Sequence, residues 1–231
     1  MRNKKSVALL ALGVVSLLLA GGALAAPELD QQQTTLDETV GVVVGGSGPQ
    51  IPAQVVRGGI AGLLTQVDLP VLCETSSTPL VVRILDSGAG PGTNVLATQT
   101  VTGVSDELEW KSVALPVQPF LPAETQFAIA LSSPGLCLVF GGPFDANPYP
   151  RGDGWYQGPP NPPGVWAPGG LDLGFKTYVE RMCKVPSILG LSQEEAQGLI
   201  EAQGCAAGTV RFRTRTVRSS MMVFTATHSS S

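Results

Sequence analysis

The stretch Gln126-Phe-Ala-Ile-Ala-Leu131 sets Phe127, Ile129 and Leu131 on one side of an extended chain and Gln126, Ala128 and Ala130 on the other. Strand side chains alternate between two faces, so this is the pattern of a strand with one strongly apolar face. The same period recurs on either side of it. Leu80, Val82 and Ile84 share a face with Arg83 opposite, and Leu63, Thr65, Val67 and Leu69 share another. Val40, Val42 and Val44 open the series, Gln54 to Val56 follow Pro49 and Pro52, and Val95 to Val101 make a further segment. Val113, Leu115 and Val117 alternate with polar neighbours, and Leu173, Phe175, Thr177 and Val179 close the series with Lys176 and Tyr178 outward. Turn clusters separate the segments at Asp86–Gly92, Gly103–Glu107 and Leu121–Glu124. About eight short strands at this spacing predict an antiparallel β-sandwich over residues 36–181.

Composition agrees. Charged residues make up only 14%, and the 28 Gly and 19 Pro suit many turns between short strands. Residues 1–25 read as a secretory signal peptide: Arg2, Lys4 and Lys5 precede the apolar run Val7–Ala20, and Ala23-Leu24-Ala25 offers a small-residue cleavage site. The run is short for a membrane span, so the expected product is exported and free of the membrane after cleavage. Residues 26–35 read as a linker. Without the signal, basic residues fall from 14 to 11 against 18 acidic ones, a net charge of −7. An acidic chain argues against a nucleic-acid partner.

Past residue 182 the pattern changes. Ser192 and Glu195 have the spacing of a capping box, so a helix is expected to start there. Ala196, Leu199 and Ile200 follow on one helical face, and Gly204 stands where a left-handed stop is wanted. Thr209 to Val217 then alternates, with Arg211, Arg213 and Arg215 together on one side. We read these arginines as a solvated strand face rather than an anion site.

Val185-Pro186, Gly190-Leu191, the helix through Glu194-Glu195-Ala196 and Leu199-Ile200, Gly204-Cys205 and Gly208-Thr209-Val210 together resemble a PASTA domain, a small extracellular module of bacterial penicillin-binding proteins and Ser/Thr kinases. The resemblance covers residues 182–231. It implies a helix packed on a small sheet and contact with peptidoglycan or its fragments. The closing stretch departs from the family pattern: Ser219 to Ser231 lacks its Pro and Gly, although Val223 and Phe224 could still form the last strand. The preceding strands are similar in arrangement to jelly-roll, galactose-binding-like modules of secreted proteins, some of which bind carbohydrate. Four cysteines allow three pairings; the two-domain division favours Cys73–Cys137 and Cys183–Cys205 in an oxidising compartment.

Residues 141–170 form a stretch too long and too rich in Gly and Pro for an ordinary connection. It carries Tyr149, Asp153, Trp155, Tyr156 and Trp166, which we take as candidate ligand-binding residues. Flat rings beside carboxylates suit a sugar, whose C–H face stacks while its hydroxyls find polar partners. The competing reading has Trp155 and Trp166 folding back to cover the sandwich edge. Asp145, Asn147, Asp153 and Asp172 offer oxygen ligands for Ca²⁺, without the EF-hand spacing. Arg151-Gly152-Asp153 spells the integrin tripeptide, for which a turn is the simpler meaning.

Support for catalysis is thin. The one histidine, His228, lies in the terminal tail, and Gly45-Gly-Ser-Gly-Pro49 fails the nucleophile-elbow pattern at its last position. Glu107 and Glu109 would share a strand face but adjoin a turn. The expectation is therefore a secreted, non-enzymatic binding protein of the cell surface that engages peptidoglycan or another polysaccharide, without a required cofactor. The alternatives are a glycan hydrolase using Asp or Glu of the aromatic loop, and an interaction protein with no small ligand.

Overall fold

The computed structural model of the chain describes residues 27–48, 50–182, 187–188, 190–202, 211–213 and 221–223. The expected signal peptide, Cys183 and Cys205 lie outside the described residues, as does most of the segment that carries the PASTA resemblance.

The fold is mainly β, with antiparallel strands in two large sheets. The first contains β1 (Glu28–Gln33), β2 (Gly41–Gly45), β4 (Gly62–Cys73), β7 (Glu109–Ala114), β8 (Phe120–Leu121), β10 (Leu136–Phe140) and β13 (Phe175–Arg181). The long strand β4 is its spine, pairing with β13, β10, β7 and β8. The second sheet runs β12 (Trp166–Pro168), β11 (Gly154–Gln157), β3 (Ile51–Arg57), β9 (Gln126–Ser132), β5 (Leu80–Ser87), β6 (Pro91–Val101). The alternation read from the sequence explains how the sheets pack. Leu80, Val82, Ile84, Phe127, Ile129 and Leu131 of one sheet meet Val67, Val71, Val113, Val139, Phe175 and Val179 of the other in a single buried core.

Two expectations change. Residues 26–35 are not a bare linker, because Glu28–Gln33 forms β1 on the edge of the first sheet, opposite β13. Asp30 sits where the register slips, and its Oδ1 accepts hydrogen bonds from Gly59 N (2.9 Å) and Ile60 N (2.8 Å). It thereby ties the chain start to the turn between β3 and β4. Within β4 the inward set is Leu64, Val67, Leu69 and Val71, not Leu63, Thr65, Val67 and Leu69. The register against β13 shifts where Tyr178 opposes Gln66 but Val179 opposes Leu64. A bulge adds one residue and turns everything before it to the other face. Thr65 is the residue passed over, and its hydroxyl donates to Tyr178 O at 3.0 Å.

Cys73 and Cys137 are bonded, directly opposite one another across β4 and β10, and fully buried. Beyond the sandwich, α1 (Gln193–Ala202) begins as expected. Ser192 Oγ accepts from Glu195 N, and Glu195 Oε2 accepts from Ser192 N and from the Ser192 hydroxyl. Ala196 and Ile200 are buried, whereas Leu199 is exposed, so the covered stripe is narrower than the sequence implied. The strands β14 (Arg211–Arg213) and β15 (Met221–Val223) pair antiparallel, so Val223 lies in a strand.

The disulfide spans 64 positions. A loop of that length constrains the unfolded chain by about 4 kcal/mol in the chain-entropy description. Replacing both cysteines by alanine is expected to lower unfolding free energy by about that much, read as a lower urea midpoint with a steeper slope, because the uncrosslinked unfolded chain is less compact.

Candidate functional site

The segment between β10 and β13 is built against β3. Gly154 to Gln157 of β11 face Gln54 to Ile51 in order, and β12 pairs with β11 through Trp155↔Pro168 and Gln157↔Trp166. Opposed residues of an antiparallel pair share a face. Trp155 and Trp166 therefore lie with Ala53 and Ile51 on the face of this sheet that points away from the main core, while Tyr156 lies on the other face, opposite Pro52. The floor under the tryptophans is made of small side chains. Ala53, Val55, Ala128 and Ala130 are buried there with Leu85, and Trp155 and Trp166 pack against them. The Trp155 ring also presses on Gly90, at the tip of the β5–β6 hairpin, so closely that a Cβ there would lie 3.0 Å from it and push the ring away.

A buried polar knot fixes this segment. Gln54 donates its amide to Asp172 Oδ1 at 3.1 Å and accepts Leu173 N at 2.7 Å. Tyr149 N donates to Asp172 Oδ2 at 3.1 Å. Burial pushes the Asp172 carboxyl above the usual range, against the lowering effect of the Gln54 and Tyr149 hydrogen bonds. Asp30 is likewise raised by burial despite its two backbone donors. Glycines let the strands approach. A side chain at Gly154 would collide with the Leu171 carbonyl oxygen, and one at Gly152 with that of Val55.

The structure distributes the five candidate ligand residues. Tyr149 is buried, with its ring edge-on to Phe175 at 4.9 Å and its hydroxyl among Gln31 Oε1, Arg57 O and Arg57 N. It is a packing residue, and its phenol is raised mainly by burial. Tyr156 is half-buried on the face opposite Trp155. Trp155 and Trp166 are half-buried against the alanine floor, so the covering role expected as the alternative holds for part of each ring. Trp155 and Asp153 come together at a cleft of about 350 Å³, lined also by Asn147, Leu171, Asp172 and Pro168. Sequence reading missed Phe144, an exposed ring at the tip of the same segment, next to Gly170 of the cleft wall. Asp145 beside it adopts a left-handed backbone with φ 60° and donates its N–H to Gly170 O. Strain of this kind gathers at functional sites.

Arg151 of the Arg-Gly-Asp triplet is held by Glu124 at 2.8 Å, and Gly152 is pressed against β3. Among the described residues no group of three or more His, Cys, Asp or Glu side chains is arranged to hold a metal. Glu109 accepts from Ser105 N and lies 3.6 Å from Lys111, away from this cleft. No protein-family model matches the chain, and no curated protein matches it significantly.

Two predictions follow from the knot. Gly154→Ala should push β11 off Leu171 and cost about 1–3 kcal/mol, with Trp155 emission shifted to the red. Asp172 and Asp30 bind protons more tightly folded than unfolded. Their contribution is therefore full below the ordinary carboxylate value of 3.8 and is lost as pH rises through their raised values. Asp172→Asn leaves one donor in the knot without an acceptor, at a cost of about 1–3 kcal/mol. That cost should be larger at pH 3.5 than at pH 7 in urea titrations.

Proposed function

We propose that this chain is an exported, non-enzymatic binding protein that engages peptidoglycan or another glycan of the cell surface. The observation that carries the reading is the cleft in which the half-buried Trp155 meets Asp153 and Asn147. A flat ring beside an acid and an amide is the combination a sugar uses, with stacking on one side and hydrogen bonds on the other. Export is supported by the signal-like residues 1–25 and by a buried disulfide, a bond that persists in oxidising compartments. The capping-box helix belongs to the residues that resemble a PASTA domain, and that resemblance points to the cell wall.

Binding is favoured over hydrolysis by the use to which Asp172 is put. Both of its oxygens accept hydrogen bonds from the knot that positions the segment. Glycoside hydrolysis uses two carboxyl groups flanking the scissile bond, and here only Asp153 of the two acids lining the cleft is exposed.

The test is co-sedimentation with purified peptidoglycan sacculi of the chain beginning at Ala26, beside one that stops at Arg181. The full chain is expected to pellet. If the shorter chain stays in solution, the terminal module is the anchor; if both pellet, the sandwich cleft carries the binding. Failure of both to pellet overturns peptidoglycan as the ligand.

A further inference from the structure

The charge of the cleft narrows the ligand. Asp153 and Asp172 line it together with the neutral Asn147, and among the described residues no lysine or arginine does. The nearest cation in sequence, Arg151, is engaged by Glu124 on the neighbouring turn. The two acids are close enough that Asp153 helps to raise Asp172. Asp172 is spent in the knot, which leaves the exposed Asp153 carboxylate to meet a ligand. Trp155 forms a wall of the same cleft, and an aromatic face next to a carboxylate attracts a cation from two directions. Phe144 adds a 59% exposed ring beside Gly170 at the edge. A volume of about 350 Å³ lies at the lower end of small-molecule sites, the size for one or two sugar rings.

We propose that this cleft selects a glycan bearing a free amine, an unacetylated amino sugar, with the ammonium on Asp153, the ring against Trp155, and Phe144 at the rim. The inference rests on the glycan-binding reading above and adds a selection rule to it. An acetylated amine is neutral and cannot pair with Asp153. An acidic sugar would meet a carboxylate with no cation among the described lining residues to offset it, at a cost in repulsion and desolvation.

The experiment is a tryptophan-fluorescence titration of the chain from Ala26 with two probes, the β-1,4-linked glucosamine tetramer and its fully N-acetylated counterpart. The glucosamine tetramer should bind at least tenfold more tightly, with the advantage shrinking as salt is added. Asp153→Asn, at an exposed position whose role in the fold is played by its backbone carbonyl on Val55 N, should weaken that probe about ten- to a hundredfold. The same variant should leave the acetylated probe within a factor of about three. Phe144→Ala should weaken both probes to a similar extent.

Equal binding of the two tetramers, or no effect of Asp153→Asn, overturns the selection rule while leaving glycan binding intact. Binding of neither tetramer by a chain that still pellets with sacculi rejects the amino-sugar cleft and assigns wall binding to another surface. Absence of both kinds of binding removes the underlying reading as well.

Discussion

The buried amide of Gln54 holds the functional end of this molecule together. It sits fully inside the sandwich on β3, gives its N–H to Asp172 and takes the N–H of Leu173. Asp172 in turn receives Tyr149 N, and its carbonyl receives Gly142 N and the Gln33 side chain. One side chain in the second sheet thus fixes both ends of the long segment and links them to the edge strand of the first. A buried amide and carboxyl are costly unless every polar atom is paired, and once paired they define one arrangement. The knot gives a Gly- and Pro-rich stretch a single path. Hydrophobic burial alone would not specify it, since much of that stretch has little apolar surface to bury.

The cleft is a consequence of that path. With residues 171–173 pinned to β3, the glycines at 152 and 154 bring the chain hard against Val55 and Leu171, and β11 is added to the sheet edge. Trp155 then has to lie across the outer face, where Ala53, Ala128 and Ala130 are small enough to receive it. The alanines that look like the unremarkable side of the central strand are the floor of the aromatic surface. Large residues in their place would lift the indole and fill the space beside it.

The strand pattern was legible because period-two alternation is local. Phe127, Ile129 and Leu131, and likewise Leu80, Val82 and Ile84, were assigned to the core from their own neighbours and are buried. The helix start was readable for the same reason, from a spacing of three, and the Cys73–Cys137 pair, expected from a two-domain division rather than from local pattern, is formed. The bulge at Thr65 was not readable, because a bulge is set by the register of the partner strand, here β13. Asp30 looked like part of a linker, since its value lies in two backbone N–H groups of a turn about thirty positions away.

The sequence by itself determined that this is a β protein of alternating strands, with a capped helix beyond the sandwich and a distinct aromatic segment inside it. Tertiary structure alone decided what each aromatic does. Tyr149 and Trp155 stand six positions apart in the same stretch and have the same appeal as sugar-stacking rings. Tyr149 is buried because its hydroxyl meets Gln31 and the Arg57 backbone, 118 and 92 positions away, and its ring meets Phe175. Trp155 borders the cleft because its strand pairs with β3 at Ala53. Whether a ring is core or surface depends on which distant groups the fold brings to it, and local sequence order carries no record of them.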